Sequence, residues 1–194
     1  MRTPTNDVPI FPLSAVLFPE GVLSLRIFEA RYLDMVSSCL KQDVPFGVSM
    51  IEDGHEVGEA ARCYATGTLA KIINWDQSAG GVLQIEALGC QRFKILDSKV
   101  TDQELRTATI KILDEMPIVS VPTELFKLTV MLKKVLKKQR LDTLLDETQF
   151  DDANWVGCRL TEVLPMENVI RQRLLEIDDP IERLHIILGL FSER

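Results

Sequence analysis

The spacing of apolar positions divides the chain into two parts with different periods. The first part reads mainly as strands. Val8 to Leu13 is a short apolar run carrying Pro9 and Pro12, which suits an edge strand or a strand entry. Pro19, Glu20 and Gly21 punctuate a turn. Val22 to Ile27 then alternates, with Val22, Ser24 and Arg26 on one side and Leu23, Leu25 and Ile27 on the other. Further strand candidates are Phe46 to Ile51, Gly67 to Trp75, Val82 to Leu88, Arg92 to Leu96 and Thr107 to Leu113. Gly80-Gly81 between two of these runs is a hairpin signal. One helix interrupts the series. From Glu29 to Leu40, the residues Tyr32, Leu33, Val36, Cys39 and Leu40 recur at helical steps, and Asp43 to Pro45 ends the run. Short strands with a single inserted helix suggest a small closed or half-closed barrel.

After Pro117 the period becomes helical. Pro122 suits a first helical turn, where its missing N–H costs nothing. Thr123 to Arg140 follows, with Leu125, Leu128, Leu132 and Val135 on one stripe. Lys133, Lys134, Lys137, Lys138 and Arg140 crowd its C-terminal end, where cations complement the helix dipole. Asp151 or Asp152 can cap a second helix, with Ala153, Val156, Leu160 and Val163 inward, which Pro165 stops. Met166 to Glu176 reads as a third helix, apolar at Met166, Val169, Ile170 and Leu174. Asp179-Pro180-Ile181-Glu182 opens a fourth, which buries Ile181, Leu184, Leu188 and Phe191. The expected class is α+β: a β-barrel part over residues 1–118 and a four-helix part over 119–194.

Composition narrows the function classes. The net charge is −7. The first part holds 11 basic and 16 acidic residues, the second 11 and 13, so neither has the positive excess that a phosphate backbone attracts. The N-terminus lacks the apolar core of an export signal, and the longest apolar runs, such as Ile186 to Phe191, are too short to span a bilayer. Cys39, Cys63, Cys90 and Cys158 form no CxxC pair and read as reduced, mostly buried thiols. These features lead us to expect a cytoplasmic protein with neither membrane nor nucleic-acid partners.

The search for chemistry is largely negative. No GxxxxGK loop is present to cradle phosphates, and no cofactor is expected. The only histidines, His55 and His185, do not form the i, i+4 pair of a zinc helix, and no metal site is expected. No GxSxG elbow marks a nucleophile, and Ser37-Ser38 lies mid-helix. The acidic pairs Glu52-Asp53, Asp114-Glu115, Asp151-Asp152 and Asp178-Asp179 all fall at loops or helix starts, where solvation and capping explain them. No catalytic residue is assigned. Trp75 is of more interest: it precedes a hairpin tip, and can either contact a partner or pack back on the barrel.

Four motifs carry a family resemblance. Pro9-Ile10-Phe11-Pro12-Leu13 is followed by Phe18-Pro19-Glu20-Gly21. Next comes Leu25-Arg26-Ile27-Phe28-Glu29-Ala30-Arg31-Tyr32. Gly67-Thr68-Leu69-Ala70-Lys71-Ile72 is matched with Glu86-Ala87-Leu88-Gly89-Cys90-Gln91-Arg92-Phe93-Lys94-Ile95. Leu164-Pro165-Met166 precedes Leu174-Leu175-Glu176-Ile177-Asp178-Asp179-Pro180-Ile181-Glu182-Arg183-Leu184. In order and spacing these resemble the N-terminal substrate-binding domain of ATP-dependent Lon proteases. The resemblance implies a PUA-like pseudo-barrel followed by a helical bundle. It also implies a non-catalytic module for unfolded or degron-bearing polypeptide, with client chains or a separate protease as partners, since nothing here matches the ATPase or Ser–Lys protease motifs. The binding candidates are Trp75, Arg26, Arg31 and Arg92, although the arginines, with Glu29, equally suit ion pairs that tie the inserted helix to the barrel. PUA-like barrels elsewhere bind RNA or small molecules, which is the alternative reading, and the charge and scarce aromatics weigh against RNA.

Overall fold

The computed structural model describes residues 5–77, 82–139 and 147–192. The chain divides into two compact units, Met1–Asp114 and Glu115–Arg194.

The first unit contains β1 (Val8–Leu13), β2 (Val22–Ile27), α1 (Ala30–Gln42), β3 (Phe46–Asp53), β4 (Arg62–Cys63), β5 (Thr66–Gln77), β6 (Leu83–Val100) and β7 (Arg106–Ile112). Pairing runs β1-β7-β6-β5-β3, and β3 returns to pair in parallel with β1, so five strands close a ring. β2 pairs with β6 on the edge opposite β5, and the two-residue β4, which has no sequence signal, joins β3.

β1 is therefore not an edge strand, as its prolines suggest. Its two pairings are staggered. Val8 to Ile10 faces β7, and Ile10 to Leu13 faces β3. Pro9 is paired only on the β7 side and Pro12 only on the β3 side, so each missing N–H has an open side to face. The runs Val82 to Leu88 and Arg92 to Leu96 also prove to be one strand, the 18-residue β6. Gly89 does not break it. The glycine instead admits the Phe18 backbone, against which a Cβ at this position would collide. The hairpin signal Gly80-Gly81 and the cation Arg140 lie outside the described residues.

Two apolar clusters fill this unit. Val8, Ile10, Leu69, Phe93, Ala108 and Ile110 form one. The other collects Phe11, Leu25, Ile27, Phe46 and Ile85 with Tyr32, Met35, Val36 and Cys39 of α1. Phe11 and Tyr32 stack with ring centroids 4.3 Å apart. Residues 32, 35, 36 and 39 make the buried stripe of α1, so Met35 takes the inward position expected of Leu40, which is exposed. Asp43 ends the helix in the left-handed region, at φ 50°, and donates its N–H to the Cys39 carbonyl.

In the second unit a 3-10 turn, Thr123–Leu125, leads from Pro122 into α2 (Phe126–Lys138), and α3 (Ala153–Val163), α4 (Asn168–Glu176) and α5 (Pro180–Ser192) follow. Asp152 Oδ1 accepts from the Asn154 N–H at 2.9 Å, and Asp179 Oδ1 accepts from the Ile181 N–H at 2.8 Å, so both expected caps are made. On α4 the phase differs from expectation. The helix starts at Asn168, Met166 precedes it, Val169 is exposed, and Leu174 and Leu175 are buried. On α5 the fully buried residues are Leu184, Ile187 and, against its charge, Arg183. No helix among the described residues is long and apolar enough to cross a membrane.

Burial pushes the Glu162 carboxyl up to about 7, against the pull of Arg159 and Arg171. The folded chain then holds this proton more tightly than the unfolded chain, whose carboxyl titrates near 4.5. The contribution is intact below the unfolded value and declines as pH rises towards 7. With 26% of the side chain still exposed, we expect a decline of about 1–2 kcal/mol. Urea midpoints measured from pH 4.5 to 8 should show this fall in the wild type and a flatter profile in Glu162→Gln.

Candidate functional site

The register of β2, β6 and β5 aligns three rows across a ribbon: Ser24–Glu86–Asn74, Leu25–Ile85–Trp75 and Arg26–Gln84–Asp76. Directly opposed residues share a face. The first and third rows therefore put polar side chains on one surface, where Asn74 Nδ2 donates to Glu86 Oε2 at 3.3 Å. The middle row lies on the other. Leu25 and Ile85 are sealed in the core, whereas Trp75 is 56% exposed. A concavity of about 530 Å³ runs along the ribbon and touches all three rows.

Trp75 and Arg26 thus both border this concavity, from opposite faces of the ribbon. The fold places the other two candidates elsewhere. Arg31 is buried, donates from Nη1 to the Glu104 carbonyl at 2.7 Å and from Nη2 to Glu29 Oε2 at 2.8 Å, and lies over the Tyr32 ring. Arg92 is buried on β6 opposite Thr68. A partner at the surface does not reach either side chain.

A second, smaller hollow of about 150 Å³ lies beside β2, lined by Phe11, Leu13, Leu25, Ile27, Tyr32 and neighbours that include Phe28 and Val57. Phe28 and Val57 are both exposed. Glu56, next to Val57, accepts the Ser14 N–H at 2.6 Å, which fastens this loop beside the end of β1. Sequence reasoning missed Phe28 and Val57. Phe28 falls between a strand and a helix, and Val57 stands alone in a polar loop, so neither belongs to a period.

The cysteines and histidines are poorly placed for covalent chemistry. Burial pushes the Cys39 and Cys63 thiols up to about 11, which leaves them protonated at neutral pH, and it raises that of Cys90. His55 and His185 are exposed on different units. Among the described residues no three His, Cys, Asp or Glu side chains gather as metal ligands would. What the ribbon offers is an exposed aromatic ring, a cation and free strand edges.

Comparison with known proteins gives this surface a context. Residues 7–193 match the family described as the ATP-dependent protease La (LON) substrate-binding domain. A LON peptidase N-terminal domain and RING finger protein of Schizosaccharomyces pombe is 24% identical over 93% of this chain and 44% of its own length. Lon protease 2 of Herpetosiphon aurantiacus is 28% identical over 97% of this chain and 24% of its own. The chain therefore spans less than half the length of these relatives. A crystal structure of a Lon N-terminal domain protein from Xanthomonas campestris superposes with a TM-score of 0.80 at 34% identity, covering 94% of this chain and 96% of that one. The N-terminal domain of a Mycobacterium avium complex Lon protease shares the fold, with a TM-score of 0.68 at 18% identity. With a match that runs through both units, the chain belongs to the Lon substrate-binding domain family.

Proposed function

We propose that the protein is a non-catalytic recognition module for unfolded or degron-bearing polypeptide, acting beside a separate protease. The observation that carries this reading is the match to a substrate-binding family over residues 7–193. The geometry supports it: the strand unit, which we read as a PUA-like pseudo-barrel, turns Trp75, Phe28, Val57 and Val22 towards solvent. Aromatic anchors on an open face favour binding to apolar stretches of chain. The RNA alternative finds less support, because Arg26 shares its surface with Asp76 and Glu86 and the chain carries a net charge of −7.

The test is an anisotropy titration of the purified chain into a fluorescent, reduced and carboxymethylated globular protein that cannot refold. Saturable binding with Kd on the order of micromolar is expected, as is typical when a disordered segment must order on contact. Trp75→Ala should weaken it roughly fivefold to tenfold. A flat titration, or tight low-salt binding to RNA in place of the unfolded chain, would sink the proposal.

A further inference from the structure

The free edge of β2 can be defined atom by atom. Glu20 donates its N–H to the Gly89 carbonyl at 2.8 Å, and the Gly89 N–H donates to the Gly21 carbonyl at 2.8 Å. Glu20 sits in the left-handed region at φ 61°. This is a one-residue bulge with Gly21 and Gly89 as a hydrogen-bonded pair. In an antiparallel ladder, bonded and non-bonded pairs alternate. Counting on from Gly21, the residues Leu23, Leu25 and Ile27 bond β6. Val22, Ser24 and Arg26 turn their N–H and C=O groups away from it. Among the described residues, no strand but β6 pairs with β2, and no other group bonds those three residues.

The apolar hollow lies beside this same edge. β5 also continues past its pairing with β3 over Ile72–Gln77, yet the hollow lined by Phe11, Leu13, Tyr32 and Val57 accompanies β2. We propose that β2 is a docking edge on which an extended segment of unfolded client adds as a further strand, hydrogen-bonded to Val22, Ser24 and Arg26, with alternate apolar side chains in the hollow. This rests on the polypeptide-binding reading above and specifies its mode.

Three features select the occupant. The edge offers peptide donors and acceptors in strand spacing, which only an extended backbone satisfies in series. The hollow requires side chains that are free to enter it. A second copy presenting its own β2 does not supply them, because its Leu25 and Ile27 are committed to its own core. The charge at the edge also favours one kind of client. Glu29 is engaged by Arg31 and Glu56 by the Ser14 N–H, while the exposed Arg26 has no ion-pair partner among the described residues. With the Glu56, Asp76 and Glu86 carboxylates near the same edge, neutral segments suit it best.

The test uses the full chain and a fluorescent peptide of roughly eight residues in which Val and Thr alternate. Two further peptides carry backbone N-methyl groups on every Val or on every Thr. Only one of these sets turns its N–H groups towards β2. One methylated peptide should therefore bind at least about tenfold more weakly than the parent, and the other within about twofold. Ser24→Pro removes an N–H that the fold leaves free, at an edge position where proline is tolerated. It should weaken the parent peptide and the carboxymethylated client alike by about tenfold. Equal binding of both methylated peptides, with the client still bound, overturns the edge mode and leaves polypeptide recognition standing. Failure of the wild type to bind either peptide or client overturns both. Sedimentation showing a dimer that Ser24→Pro dissolves makes a second copy the occupant, and overturns the proposal. If Ser24→Pro fails to fold, the methylated pair decides alone.

Discussion

Arg183→Met will lower the stability of the helical unit by about 3–5 kcal/mol, because three hydrogen-bond acceptors lose their donor. The guanidinium is 0% exposed. Its Nε donates to the Leu174 carbonyl at 2.9 Å, Nη1 to Asn154 Oδ1 at 2.9 Å, and Nη2 to the Ile177 carbonyl at 2.6 Å. One side chain on α5 thus satisfies the end of α4 and a side chain of α3. Methionine fills most of the volume but leaves these acceptors without donors, and each unsatisfied buried group costs about 1–3 kcal/mol. Lysine will rescue little, since a single ammonium cannot span the fork of acceptors that a guanidinium reaches. The measurement is urea denaturation in a Trp75→Phe background. The chain has two tryptophans, and the remaining one, Trp155, is buried in α3 against Phe150. An unchanged midpoint for Arg183→Met would refute the role assigned to the network.

Gly89→Ala will destabilise the strand unit by about 3 kcal/mol, the upper part of the range for overpacking. A Cβ at Gly89 would fall inside the contact distance of the Phe18 carbonyl oxygen and 3.2 Å from Leu17 Cγ. The obstacle is backbone, held by the Glu20 and Gly89 hydrogen bonds, so no rotamer change relieves it. The loop between β1 and β2 must move, and β2 with it. Denaturation followed by near-ultraviolet circular dichroism should show the loss, and client binding should weaken in parallel. Wild-type stability in this variant would mean that Phe18 does not lie where the structure puts it.

Much of the architecture was legible because periodicity reports local burial. β2 matches its alternation at both ends, and Asp152 and Asp179 cap the helices that their spacing marks. The departures occur where a long-range contact overrides a local signal. Pro9 and Pro12 suggest an edge, yet staggered pairing accommodates both inside a closed ring. Val82 to Leu88 and Arg92 to Leu96 read as two strands, yet they are one, with Gly89 as the point of close approach for Phe18. Nothing in its local sequence marks Arg183 as buried, because acceptors contributed from α3 and the end of α4 are invisible in its own sequence neighbourhood.

The candidate site was less legible for the same reason. Trp75 and Arg26 are 49 positions apart and come to border one concavity only through β6, which pairs with both strands. The family motif contains Arg26, Arg31 and Arg92 without distinguishing them, and burial separates the exposed Arg26 from the two enclosed arginines. Phe28 and Val57 acquire meaning only beside the open edge of β2. The family resemblance found the module, and the surface had to come from the pairing pattern.

Amide hydrogen exchange of the full chain, with and without saturating carboxymethylated client, tests the central claim most directly. The claim is that the strand unit recognises polypeptide through its exposed ribbon and the edge of β2. The predicted result is client-dependent slowing of at least about tenfold over Val22 to Phe28, with smaller protection near Trp75 and none in α2 to α5. Protection confined to the helical unit, or bound client with no change over β2, would contradict the account.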